Sequence, residues 1–167
     1  MNKPRGSSGY PVSHALASLT VEEVKRIDEE ATGGEGWDFY TTGFLTKASV
    51  FLNKISARVR EAYGEFYVEA TVDEHHIATA CTCNEKSGMC KHAVALLYSW
   101  VFDAEDFLDV GETMEELRAR DKEELIEILG RIVQNDPRNV DFFEEHPEEE
   151  EPQLPPPLSL LGDDFEE

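Results

Sequence analysis

Cys81-Thr82-Cys83-Asn84-Glu85-Lys86-Ser87-Gly88-Met89-Cys90-Lys91-His92 holds every cysteine of the 167-residue chain and ends on a histidine. Thiolate and imidazole are the ligands Zn²⁺ prefers, and three cysteines with one histidine complete a tetrahedral shell with no position left for water or substrate. The stretch therefore reads as one structural metal site with Cys81, Cys83, Cys90 and His92 as ligands.

The spacing of the ligands dictates the local fold. Cys81 and Cys83 are one residue apart, so at the end of a strand followed by a tight turn both thiolates can face one ion. Cys90 and His92 are likewise one apart and directly precede the apolar run Ala93-Val94-Ala95-Leu96-Leu97-Tyr98-Ser99-Trp100-Val101-Phe102, which reads as a buried helix. The six residues between the pairs, with Ser87-Gly88 as turn formers, close the loop. The metal is expected to tie the last strand of a sheet to the start of the core helix.

Upstream, residues 37–81 are rich in Phe, Tyr, Val, Ile and Thr and are punctuated at Gly43, Gly64 and Asp73-Glu74. This predicts antiparallel strands over about 38–44, 48–52, 54–62, 65–72 and 76–81. Ile55, Ala57 and Val59 alternate with Lys54, Ser56, Arg58 and Arg60, placing an apolar and a cationic face on one strand. Before it, Thr20 and Glu23 form a capping box for a helix over 21–31 carrying Val21, Val24 and Ile27, with Gly33-Gly34 as its stop. The acids Asp28-Glu29-Glu30 read as a solvated face. After the core helix, Thr113 with Glu116 predicts a short helix over 114–119. Asp121 with Glu124 caps a longer helix that ends at Asp136-Pro137. The fold class is α+β: a small antiparallel sheet joined through a zinc site to a buried helix, with flanking helices. The expected organisation is a flexible N-terminus over 1–19, the zinc-binding domain over 20–110, a helical extension over 111–137 packed on it, and a disordered acidic tail over 138–167.

Charge narrows the function. The formal net charge is -21, which argues against a generic coat for nucleic acid or anionic membrane. Residues 136–167 hold twelve acids and one base, about half of that charge. Such acidity fits plain solubility or a high-salt cytoplasm, and also a tail that shields or mimics nucleic acid. By contrast, residues 47–60 contain four bases and no acid. Lys47, Lys54, Arg58 and Arg60, with Lys86 and Lys91 from the metal stretch, form a candidate phosphate-contacting set. Tyr63, Phe66 and Tyr67 nearby could stack bases if exposed. The bland alternative is the polar outer face of a half-exposed sheet. At the end of the tail, Leu158, Leu160, Leu161 and Phe165 stand among acids, as in terminal peptides that dock on a partner. No leader-like apolar region or membrane-length run occurs, and clustered cysteines suit a reducing compartment, so a cytoplasmic location is expected.

Enzymatic zinc patterns are absent: there is no H-E-x-x-H and no H-x-E followed by P-C-x-x-C. His75 and His76 are spare ligands at an acidic turn. The order C-x-C-x6-C-x-H, entered from a strand and leaving into an apolar helix, resembles the SWIM zinc finger. The similarity extends upstream through Ile55-Ser56-Ala57-Arg58-Val59-Arg60 and Phe66-Tyr67-Val68, and downstream through Cys90-Lys91-His92-Ala93-Val94-Ala95-Leu96-Leu97, over about 37–102. Asn84 departs from the proline many members carry after the second cysteine. The resemblance implies a zinc-dependent module for DNA or protein binding, found beside helicases, transposases and recombination factors. Two expectations follow: a nucleic-acid-binding accessory protein acting on DNA or RNA, or a protein-interaction adaptor with the zinc module as scaffold. Neither is an enzyme, because no nucleophile, base and orienter constellation is visible.

Overall fold

The computed structural model describes residues 9–83 and 89–143. These form two compact units, divided between Asp121 and Lys122. The first unit is a mixed α+β structure built on a five-stranded sheet. Strands β1 (Phe44–Phe51), β2 (Lys54–Glu61), β3 (Gly64–Asp73) and β4 (His76–Cys81) are antiparallel neighbours. A two-residue strand β5 (Leu108–Asp109) joins β1 in parallel, giving the order β4-β3-β2-β1-β5.

The alternation read from sequence decides which face is covered. Ile55, Ala57 and Val59 of β2 and Val68, Ala70 and Val72 of β3 are buried, while Lys54, Arg58 and Arg60 lie on the opposite, open face. Against the apolar face lies the core helix α4 (Lys91–Asp103), in which His92 to Tyr98 and Trp100 are buried. Each large apolar side chain removed from water here contributes about 1.5–3 kcal/mol.

Three further helices complete the cover. Ser13 caps the one-turn α1 (His14–Ala17), whose Leu16 is fully buried and accepts a hydrogen bond from the Trp100 indole at 2.9 Å. Helix α2 (Val21–Ala31) starts at the expected capping box, with Thr20 and Glu23 each satisfying the other's backbone N–H. A third helix, α3 (Glu35–Thr42), stands where a strand over 38–44 was expected. Gly33 and Gly34, at φ 67 and 97, turn the chain in a conformation open to glycine. The Asp28 carboxylate, only 2 % exposed, then accepts the N–H groups of Gly36 at 3.0 Å and Trp37 at 2.9 Å, besides the Thr32 hydroxyl. Asp28 is therefore not part of a solvated face; it caps α3 from the neighbouring helix. Trp37 and Tyr40 pack on Tyr98 and Phe102, so packing on α4 overrides the strand preference of these aromatics.

Helix α5 (Val110–Arg118) begins four residues earlier than the expected 114–119. Its cap is Asp109, whose carboxylate accepts the Gly111 N–H at 2.8 Å, and not Thr113. In the second unit, α6 (Lys122–Asn135) is followed by a 3₁₀ segment, Pro137–Phe143. Ile126, Leu129, Gly130 and Val133 of α6 and Val140 and Phe143 line an apolar groove of about 380 Å³. Leu158, Leu160, Leu161 and Phe165 lie outside the described residues, and no helix among the described residues is long and apolar enough to cross a membrane.

Candidate metal centre

The four candidate ligands meet where the sheet edge approaches the core helix. Cys81 is the last residue of β4, Cys90 occupies the N-cap of α4, and His92 lies in its first turn. Their ligating atoms, with Cys83, all lie within 4.8 Å of one another. Nδ1 of His92 is the nitrogen that faces the sulfurs, 3.7 Å from Cys81 Sγ and 3.9 Å from Cys90 Sγ. A tetrahedral ion with metal–sulfur bonds of about 2.3 Å has shell edges of about 3.5–3.8 Å, so the cluster is sized to close on one ion.

Local bonding explains why the stretch folds this way. Thr82 extends the pairing one step past β4: its N–H donates to the Tyr67 carbonyl and its hydroxyl accepts the Tyr67 N–H, both at 2.9 Å. The turn holding Cys81 and Cys83 is thereby fixed to β3. On the other side, the Cys90 carbonyl accepts the N–H groups of Ala93 at 3.0 Å and Val94 at 3.2 Å, starting the helix.

Burial shifts two of the thiols at the site. Burial pushes the Cys81 thiol up to about 12, and burial likewise raises Cys90 despite a hydrogen bond from the Ala93 N–H. Burial and the neighbouring sulfurs oppose ionisation of Cys81 and Cys90, and a bound cation would offset that penalty. Three sulfurs and one imidazole nitrogen could together close a four-coordinate shell around one metal ion.

A carboxylate and two aromatic rings surround His92, which is 3 % exposed. Phe39 meets the imidazole edge-on at a centroid distance of 4.9 Å, and Phe66 stacks on it at 5.5 Å. Oε1 of Glu61, the last residue of β2, lies 2.9 Å from Lys91 Nζ and 3.3 Å from His92 Nε2. The hydrogen bond from Lys91 holds the Glu61 carboxyl below its ordinary range, and Glu61 in turn raises Lys91. Glu61 was not legible as part of the site: it follows the cationic run, twenty residues before the first cysteine, with no ligand spacing to mark it.

The candidate phosphate contacts are less free than their sequence implied. Lys54 pairs with Glu69 at 3.0 Å, Arg58 with Glu65 at 3.3 Å, and Lys91 with Glu61. Lys47, at φ 53 in a bulge of β1, and Arg60 make no ion pair with any described residue. Lys86 lies outside the described residues. Tyr63, at the β2–β3 turn, is 96 % exposed and Tyr67 47 %, whereas Phe66 turns inward onto His92. His75 and His76 do not join the cysteines. With His14, Arg26 and Met89 they line a separate cleft of about 610 Å³.

The raised thiols make a pH prediction. Below the thiol range, Cys81 and Cys90 are protonated in the metal-free chain and must release at least two protons on loading, so apparent affinity should rise by at least about 100-fold per pH unit. Titration calorimetry in buffers of different ionisation enthalpy measures the protons released. In the metal-free chain the Cys81 shift acts oppositely: it favours the fold below the ordinary thiol value of 9.0, and that contribution is lost as pH climbs toward 12.

Compared with family models, with curated proteins and with solved structures, the chain matches none.

Proposed function

We propose that this chain is a non-catalytic, zinc-stabilised interaction module of the SWIM type, acting as a protein-binding adaptor in a reducing, cytoplasmic setting. The donor set favours zinc: three thiolates and one imidazole in a closed shell suit that ion better than the harder divalent cations. Metal analysis of protein purified without added metal tests the ion; an equimolar content of iron or copper in place of zinc would reject it.

The observation that carries the partner reading is the open face of β2 and β3. Exposed Tyr67 sits opposite Arg58, Tyr63 projects from the turn, and two cations are matched by Glu65 and Glu69. Aromatic and arginine side chains among balanced charges are the composition of a protein interface, whereas a phosphate track needs cations left unpaired. Tyr63→Ser with Tyr67→Ser should weaken a purified partner's binding by about 2 kcal/mol or more, measured by titration. Affinity unchanged in that variant would remove this face from the interface. Truncation of 138–167 tests the contribution of the tail separately.

Nucleic-acid binding is the second reading, favoured by Lys47 and Arg60, which make no ion pair with any described residue, and by the exposed Tyr63 and Tyr67. Two phosphate contacts would give a log–log salt slope of about -1.4 to -1.8 in gel shifts. Lys47→Glu with Arg60→Glu should abolish that slope.

A further inference from the structure

His92 has two ring nitrogens with different surroundings. Nδ1 faces the thiols, and Nε2 is buried with no aligned hydrogen-bond partner. The carboxylate oxygen of Glu61 stands 3.3 Å from that Nε2, an ion-pair distance that lacks hydrogen-bond alignment. A buried N–H without an acceptor is costly, so the position of the ring proton matters. If the proton sat on Nδ1, it would point at the sulfurs and block that lone pair. On Nε2 it lies beside the Glu61 carboxylate, the one charged acceptor within ion-pair distance of that atom among the described residues, and Nδ1 is left free to ligate.

We infer that Glu61 is a positioning residue of the metal centre: it holds His92 as the Nε2–H tautomer, oriented so that Nδ1 binds the ion. Three features support this. The carboxylate is itself fixed, because Lys91 Nζ holds the same Oε1 at 2.9 Å. Phe39 and Phe66 leave the ring little freedom to turn away. Lys91 is adjacent to His92 and lies 5.3 Å over the Phe39 ring, so the carboxylate, the cation and the imidazole form one packed group. A carboxylate on the outer nitrogen of a ligating histidine raises its basicity and fixes its orientation, and removal of such a partner typically weakens metal binding by 10–100-fold.

The inference rests on the metal reading above, and the experiment separates the two. Metal-free wild type, Glu61→Gln and Glu61→Leu are titrated with Zn²⁺ against a chromophoric chelator, with Co²⁺ absorption to report the sulfur and nitrogen ligands. Glu61→Leu should bind about 10–100-fold more weakly and show altered Co²⁺ ligand-field bands. Glu61→Gln keeps an acceptor oxygen and should lose less than Glu61→Leu. Long-range ¹H–¹⁵N spectra of loaded wild type should show His92 protonated at Nε2, a readout that needs no variant. Wild type that takes up neither metal overturns the metal reading and this inference with it. Wild type that binds while Glu61→Leu binds within twofold of it, or a His92 that ligates through Nε2, overturns the role of Glu61 alone.

Discussion

Chelation of the metal is expected to lower the stability of the first unit by about 4 kcal/mol when free metal had stood at roughly a thousand times its dissociation constant. For a domain of this size that corresponds to a fall in melting temperature of roughly 10–20 °C. Zinc-finger peptides lose their whole fold without metal, because the ion is nearly all that holds them. Here α4 has a second anchorage. Val94, Leu96 and Leu97 are fully buried in the core, and the Trp100 indole is bonded to Leu16. The metal-free chain should therefore keep the sheet and the middle of α4 and loosen around 81–92. Hydrogen exchange should show it: the amides of Ala93 and Val94, which bond to the Cys90 carbonyl, and of Thr82, which bonds to Tyr67, should speed up on chelation. Amides between β2 and β3 should change far less. Cys90→Ser should reproduce the loss and leave the melting temperature insensitive to added Zn²⁺. A wild-type chain with identical exchange and melting behaviour in chelator and in Zn²⁺ would deny the metal any role in the fold.

The metal ligands were legible because they are local: twelve consecutive residues carry the donors, the turn and the helix start, so spacing alone brings them together. The same holds for β2, where side-chain alternation is a property of one strand. What required the structure is what depends on register and on distant packing. Nothing in the order Lys54, Arg58, Glu65, Glu69 says which cation meets which acid; cross-strand pairing does, and it turns a cationic run into a balanced surface. Phe66 and Tyr67 look alike in sequence, yet adjacent strand positions point to opposite faces, so one clamps His92 and the other faces solvent. The aromatics of α3 favour a strand locally, which hides the helix from a reading of sequence alone. The residue that secures its N-terminus, Asp28, lies on α2 and resembles its exposed acidic neighbours.

Asp28 and Gly36 together should produce the second large effect. A Cβ at Gly36 would lie 2.3 Å from Val94 Cγ1, 2.6 Å from Val94 Cβ and 2.7 Å from an Asp28 carboxylate oxygen. All three are below any real side-chain contact, and Val94 is fully buried, so it cannot swing aside. Gly36→Ala must push α3 away from α4 and should cost about 3 kcal/mol. Asp28→Ala acts on the same joint from the other side. It strips the acceptor from two backbone N–H groups and from the Thr32 hydroxyl, at about 3–5 kcal/mol if the donors stay buried. The two costs should not add. Once α3 has shifted to admit the added methyl group, its N-terminus no longer presents the same donors to Asp28, so the second substitution removes bonds already weakened. A denaturant-unfolding cycle over the two single variants and the double should show a coupling of about 1 kcal/mol or more. Strict additivity would mean that the cap and the close approach of the two helices are independent. Because α3 also carries Phe39 against His92, both variants should weaken metal binding without touching a ligand.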